Sequence, residues 1–323
     1  MDIKDNAELL EIINKLDEKY SSTGQDLVSY LKGLYHSRYV NYWDYINQDV
    51  LLSLQNPRTD IEDEQIFIMY HQITELYFKL TLKELKHISD HPEINGTYFL
   101  KKLKRINRYF ETLTHSFDVM SDGMDREQFL TFRLALQPAS GFQSVQYRDI
   151  EFISTKLDYL VHTDKRSNLA EMSDEEKLEN VYWRAGGIQR NTGKPAYTNL
   201  DFENKYWNHF LAYTKLYKDR TIWDQYKKLT SEEQSDVEII KALRRLDSYV
   251  NVNWPLAHFK SAVKYLVTED TPVAATGGTN WMKYLPPRFQ KRIFFPELWS
   301  PEEIENWGKG WVEETLIAHF DKK

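Results

Sequence analysis

The chain contains no cysteine at all. That excludes disulfides, thiolate metal sites and cysteine nucleophiles together, and it points to a reducing compartment. Apolar runs are short as well, none approaching the ~20 residues that a membrane-spanning helix requires. The opening MDIKDNAELLEIINKL is amphipathic and charged from residue 2, so no signal peptide is expected. Nor does one sign of charge dominate. The 42 Lys and Arg are interspersed among 49 Asp and Glu, for a net charge of −7, which leaves no basic footprint for nucleic acid. A cytoplasmic protein without nucleic-acid or membrane partners is the expectation. No alternating strand pattern, internal repeat or low-complexity tract is found either.

What the chain does have is helical period and aromatic surface. With 21 Tyr, 16 Phe and 9 Trp, it carries enough flat apolar area for a hydrophobic pocket, and equally for an aromatic core. Leu103, Ile106, Phe110, Leu113 and Phe117 recur at spacings of three and four and predict one buried stripe. Val237, Ile240, Leu243, Leu246 and Val250 predict another. The segment 63–88 is apolar around more than half its circumference, as a helix central to a bundle must be. Ser173 with Glu176 and Thr230 with Glu233 form capping boxes, and Ser300-Pro301 with Glu303 adds a proline at the first helical position. Residues 184–200 form the one long irregular stretch, which reads as a surface excursion because helical patterning resumes directly after it. The expected architecture is a single all-α, helical-bundle domain over 1–323.

Few residues look chemical. Of nine histidines, His71 lies on the most apolar helix, one turn after Phe67, and His258 lies one turn after Trp254. Each alone reads as a satisfied core histidine or as a ligand. No His-Glu-x-x-His and no paired Glu-x-x-His accompanies them, so a zinc or di-iron centre is not expected. A cofactor that needs one protein ligand remains, and haem in a dry aromatic slot is the main one. Arg133 sits among Phe129, Phe132, Leu134 and Leu136. It either snorkels to water or faces a buried anion, for which a planar guanidinium is suited. Shortly after it comes a small-residue joint, Pro138-Ala139-Ser140-Gly141, where backbone could approach a flat ligand closely. The Thr276-Gly277-Gly278 segment is an ordinary loop or a donor of backbone N–H groups, and it lacks the pattern of a phosphate loop.

The order of four blocks is more specific than any of them alone. FIMYHQITELYFKL (67–80), FRLALQPASGFQSVQYRDIE (132–151), WPLAHFKSAVKYL (254–266) and ATGGTNWMKYL (275–285) together resemble the tryptophan 2,3-dioxygenase family. The stretch YVNYWDYINQDVLLSLQNP (39–57) looks like that family's N-terminal block. The resemblance implies an all-helical enzyme with haem b that inserts O2 across the indole C2–C3 bond of L-tryptophan, the first step of degradation by the kynurenine route. It implies His258 as the axial haem ligand, and His71 as the distal histidine bound to the indole N–H. Phe67 and Phe129 would flank the substrate, Arg133 would hold its carboxylate, and Thr276 would meet its amino-acid end. Ser140, Gly141 and Trp254 would line the haem. Tyr42, Tyr45 and Ile46, within an N-terminal segment over 1–60, would enter a neighbouring subunit's pocket in a homotetramer, a dimer of dimers. The chain departs from the family pattern at Phe129, where a tyrosine is common, at Pro255, at Lys264 in place of an arginine, and around 184–200. A haem enzyme oxygenating another indole or aromatic amino-acid derivative, by dioxygenase or monooxygenase chemistry, is the alternative. A non-catalytic haem sensor is the third reading, which the retention of Arg133 and Thr276 opposes.

Overall fold

The computed structural model describes residues 6–136, 143–186, 195, 197–267, 286–287 and 291–309. Within it the backbone packs as two compact units, Met1–Gln55 and Asn56–Lys323. Helices make up both. Among the described residues no strand longer than a single bridge occurs, as between Val161 and Val181. None of the described helices is long and apolar enough to cross a membrane.

The first unit consists of α1 (Ala7–Ser21), α2 (Leu27–His36), α3 (Tyr42–Ile46) and α4 (Gln48–Leu51). Asn6 and Asp26 begin the first two by accepting backbone N–H bonds from Leu9 and Ser29, the ordinary N-cap role of short polar side chains. Asn47 takes a left-handed conformation, φ 51°, and so turns α3 into α4. Tyr20 and Tyr30 stack at 3.8 Å to join α1 and α2. Leu27 is the single buried apolar residue described in this unit. Tyr39, Tyr42, Trp43 and Tyr45 all face solvent.

In the second unit the central element is α5 (Asp63–Ser89), as expected of a helix apolar around more than half its circumference, although Met69, Ile73, Leu76 and Leu80 stay exposed on one face. It packs on α6 (Gly96–Ser116) and on α9 (Val145–Ser154). Between them in sequence come the short helices α7 (Asp118–Ser121) and α8 (Arg126–Phe132). The α6 stripe is buried as expected, with Leu103, Ile106, Phe110 and Leu113 fully enclosed and Phe117 nearly so. After α10 (Leu157–Leu160), α11 (Asp174–Glu179) and α12 (Tyr182–Gly186) comes the long α13 (Tyr197–Tyr217), which packs on α9. The two ends of the stretch expected to be irregular are therefore helical, and residues 187–194 and 196 lie outside the described residues. Then follow α14 (Ile222–Lys227), α15 (Ser231–Gln234), α16 (Val237–Ser248), a π-helical turn (Tyr249–Asn253) and α17 (Trp254–Leu266). A last short helix, α18 (Pro301–Glu305), starts at the predicted Ser300–Glu303 capping box.

The capping boxes and the α16 stripe differ in how far they match expectation. All three capping boxes form, because a cap is satisfied by residues three apart and needs nothing from the rest of the fold. The α16 stripe is misphased at its start. Val237 is 60% exposed, and the face turned inward is Ile239, Ala242, Leu243, Leu246 and Val250. A first-turn residue has no preceding turn to fix which way it is drawn, so tertiary contacts choose.

A buried ionic cluster ties distant parts of this unit. The Glu151 carboxylate on α9 lies 3.0 Å from the Arg148 guanidinium and 3.1 Å from that of Arg292. The Tyr182 hydroxyl of α12 donates to the same carboxylate and accepts from both arginines. Glu151 is wholly enclosed, and a buried carboxylate is tolerated only when its charge is met in this way.

Candidate active site

His71 stands on α5 one turn after Phe67, and their rings stack with centroids 4.1 Å apart. Its Nδ1 is 2.7 Å from the Phe67 carbonyl oxygen. A carbonyl can only accept, so Nδ1 carries the proton. Burial lowers the pKa of this imidazole, with partial compensation from that hydrogen bond. The ring is therefore neutral near pH 7, and Nε2 presents a lone pair. The helix itself thus sets the tautomer: a residue at i+4 reaches the carbonyl at i.

Around His71 the walls are aromatic. Phe132 meets Phe67 edge-on at 5.7 Å, and Phe129 lies 6.3 Å from Phe67. Tyr70 stands edge-on to His71 at 6.4 Å and to Phe117 at 5.5 Å. Phe117 in turn lies 5.6 Å from the ring of His258 and 5.0 Å from Trp254. A chain of rings thus connects the two histidines that the sequence singles out, although α5 and α17 are far apart in the chain. His258 makes no hydrogen bond to a described residue, and its pKa is lowered to about 4 by burial and then by the charge that His71 would carry. Both imidazoles nevertheless keep open surface. That open surface separates these two from satisfied core histidines.

Arg133 caps the C-terminal end of α8, its N–H donating to the Phe129 carbonyl at 3.0 Å. The residue is 3% exposed, and burial lowers its pKa. Snorkelling is thereby excluded, while the neighbouring Leu134 is the residue that turns outward. Phe129, where the family pattern commonly has a tyrosine, rests against Tyr265 at 4.8 Å. The Tyr265 hydroxyl cannot stand in for the missing one, because it donates to the carbonyls of Met120 and Met124. Lys264 pairs with Asp122 at 2.7 Å. Ser140, Gly141, Thr276 and the joint at 138–141 lie outside the described residues. Tyr42, Tyr45 and Ile46 belong to the first unit, where they are exposed. Among the described residues, no group of three or more His, Asp or Glu is placed to hold a metal ion. Tyr70 and Phe117 are not legible as site residues in the sequence, since their helical spacing marks them only as core.

Known proteins resemble this chain over most of its length. The family model for tryptophan 2,3-dioxygenase matches residues 33–245, a span that includes His71, Phe129 and Arg133 and ends before His258. A tryptophan 2,3-dioxygenase from Polaromonas sp. (strain JS666) is 30% identical over 82% of this chain and 87% of its own length. One from Polaromonas naphthalenivorans (strain CJ2) is also 30% identical, over 82% of this chain and 91% of its own. For one from Ruegeria sp. (strain TM1040) the figures are 30%, 81% and 91%. The buried arginine, the chain of aromatic rings and the two histidines it connects thus fall in a chain that belongs to the tryptophan 2,3-dioxygenase family, an oxidoreductase of the dioxygenase type.

Proposed function

We propose that the protein is a haem-dependent tryptophan dioxygenase, converting L-tryptophan and O2 to N-formylkynurenine with both oxygen atoms retained in the product and no external reductant. The observation that carries this reading is the pair of neutral imidazoles, His71 and His258, joined through Tyr70 and Phe117, with a buried arginine directly after Phe132, whose ring meets Phe67. The residues fit a haem. His258 is neutral, keeps open surface and has no hydrogen-bond partner among the described residues, so it could hold haem iron. Phe117 and Trp254 supply a dry aromatic wall on its side. When bound, haem supplies the O2 chemistry.

The chain's own residues then have three tasks. His71 accepts the indole N–H at Nε2, with its tautomer set by the Phe67 carbonyl. Phe67, Phe129 and Phe132 orient the indole ring and exclude water. Arg133 binds the carboxylate; the family resemblance assigns Thr276 to the amino-acid end of the substrate and Ser140 and Gly141 to the haem. Because the lowered pKa keeps His71 from taking up a second proton, its role is to position the indole N–H, not to deliver charge. The test is direct: ferrous protein, kept anaerobic, is mixed with tryptophan and then O2, and N-formylkynurenine absorbance is followed. Haem-loaded protein that forms none of it would refute the substrate assignment.

His71→Leu is expected to lower kcat/KM for tryptophan roughly five- to thirty-fold, the worth of one buried hydrogen bond of about 1–2 kcal/mol. With 1-methyltryptophan, which has no N–H to give, wild type and variant should be alike. A loss of equal size on both substrates would reassign His71 to structure.

Tyr42, Tyr45 and Ile46 support an oligomer. Tyr42 is 70% and Tyr45 78% exposed, on a unit with almost no core of its own, and such apolar surface is ordinarily covered by a partner. Residues 39–57 are assigned to a neighbouring subunit's pocket in a homotetramer. Light scattering is expected to report a stable oligomer, and a fully active monomer would contradict the assignment.

A further inference from the structure

The helix that carries His258 does not continue α16 in phase. Between them the backbone widens into a π turn, Tyr249–Asn253, in which the Trp254 N–H bonds to the carbonyl of Tyr249 instead of the residue four back. Such a turn rotates everything after it about the helix axis, and it leaves carbonyls short of donors. The next residue is Pro255. In the same register its N–H would go to Val250, but proline has none to give, and its ring disfavours the tighter α register as well. The Val250 carbonyl is fully buried, so an unmet acceptor there would be costly. It is not unmet. The Tyr147 hydroxyl, from α9, donates to it at 2.8 Å. Asp247 braces the other end, its carboxylate accepting from Asn251 of the turn at 2.8 Å, from the N–H groups of Phe294 and Phe295, and from Trp299 Nε1 at 3.0 Å.

We propose that Tyr147 is a positioning residue for the axial histidine: its hydroxyl replaces the N–H that Pro255 lacks, and so holds the π turn that sets which way His258 faces. The inference rests on the reading of His258 as iron ligand, and it deepens that reading without sharing all of its tests. Sequence spacing alone could not find it, because Tyr147 and Val250 are 103 residues apart.

The experiment is a rescue. In the full-length protein as purified, Tyr147→Phe is expected to speed amide hydrogen exchange across residues 249–258 roughly five- to thirty-fold, the effect of one lost buried hydrogen bond. It should also weaken hemin uptake and alter the Soret spectrum. Pro255→Ala restores a backbone N–H at the same place. In that background Tyr147→Phe should change exchange and hemin uptake less than about twofold, because the carbonyl has its own donor again. Equal losses in both backgrounds would overturn the proposal and assign Tyr147 to the neighbouring Arg292 and Glu151 cluster, and no loss in Tyr147→Phe would overturn it too. Should Tyr147→Phe fail to fold alone, the double variant decides: recovery supports the proposal, and continued failure refutes it. A wild-type protein that takes up no hemin would defeat the haem reading and still leave the turn to the exchange measurement.

Discussion

His258→Ala is expected to purify without stoichiometric haem. The imidazole is the single histidine of α17, and the surroundings that lower its pKa to about 4 also keep its lone pair free of protons at any pH in ordinary use. Substitution removes the ligand without disturbing much else, because His258 has no hydrogen-bond partner among the described residues and its ring lies tilted against Phe117 with centroids 5.6 Å apart. Far-UV ellipticity should therefore be retained while the Soret band is lost or takes the form of altered ligation. Free imidazole, added at millimolar concentration, should enter the space vacated and restore part of the signal. A variant with wild-type spectra and full haem content would end the assignment of His258 and, with it, the geometry proposed for the pocket.

Arg133→Leu carries the second large effect. Arg133 is 3% exposed at the end of α8, and on the proposed reading its charge-assisted, bidentate pair with the substrate carboxylate would work in a dry site. Its loss costs on the order of 2–4 kcal/mol, hence roughly thirty- to a thousand-fold in kcat/KM for tryptophan. Indoles without a carboxylate, if oxidised at all, should barely register the change. A structural arginine would behave otherwise, its removal lowering haem content and every activity alike. Phe129→Tyr is the converse measurement. Since the Tyr265 hydroxyl is taken up by the carbonyls of Met120 and Met124, no nearby phenol replaces the one this chain lacks. Restoring it should improve tryptophan use by about one hydrogen bond, ~1 kcal/mol or roughly fivefold. If Arg133→Leu leaves tryptophan kinetics intact and Phe129→Tyr changes nothing, the substrate is not an amino acid, and an oxygenase acting on another indole takes the place of the first reading.

What could be read from the sequence by itself is what depends on neighbours along the chain. The helical period of 103–117 and the three capping boxes are properties of residues three or four apart, and each appears as predicted; the broad apolar surface of 63–88 likewise forms one long helix, with Met69, Ile73, Leu76 and Leu80 left exposed. The adjacency of Phe67 and His71 belongs to the same class, since one helical turn brings the rings together and lets the Phe67 carbonyl reach Nδ1. The ordered blocks led to the family for a related reason: a specific run of residues is itself local information. Tertiary structure alone decided the rest. It turned Val237 outward, buried Arg133 when its sequence context allowed either fate, and used Tyr70 and Phe117 to connect two histidines on separate helices. It gathered Arg148, Glu151 and Arg292 around one tyrosine, and brought Tyr147 to the carbonyl that Pro255 leaves without a donor. Those contacts join residues far apart in the chain, and the energy that selects them is the demand that buried charges and carbonyls find partners in a close-packed interior. No periodicity along the chain encodes which distant group will meet that demand.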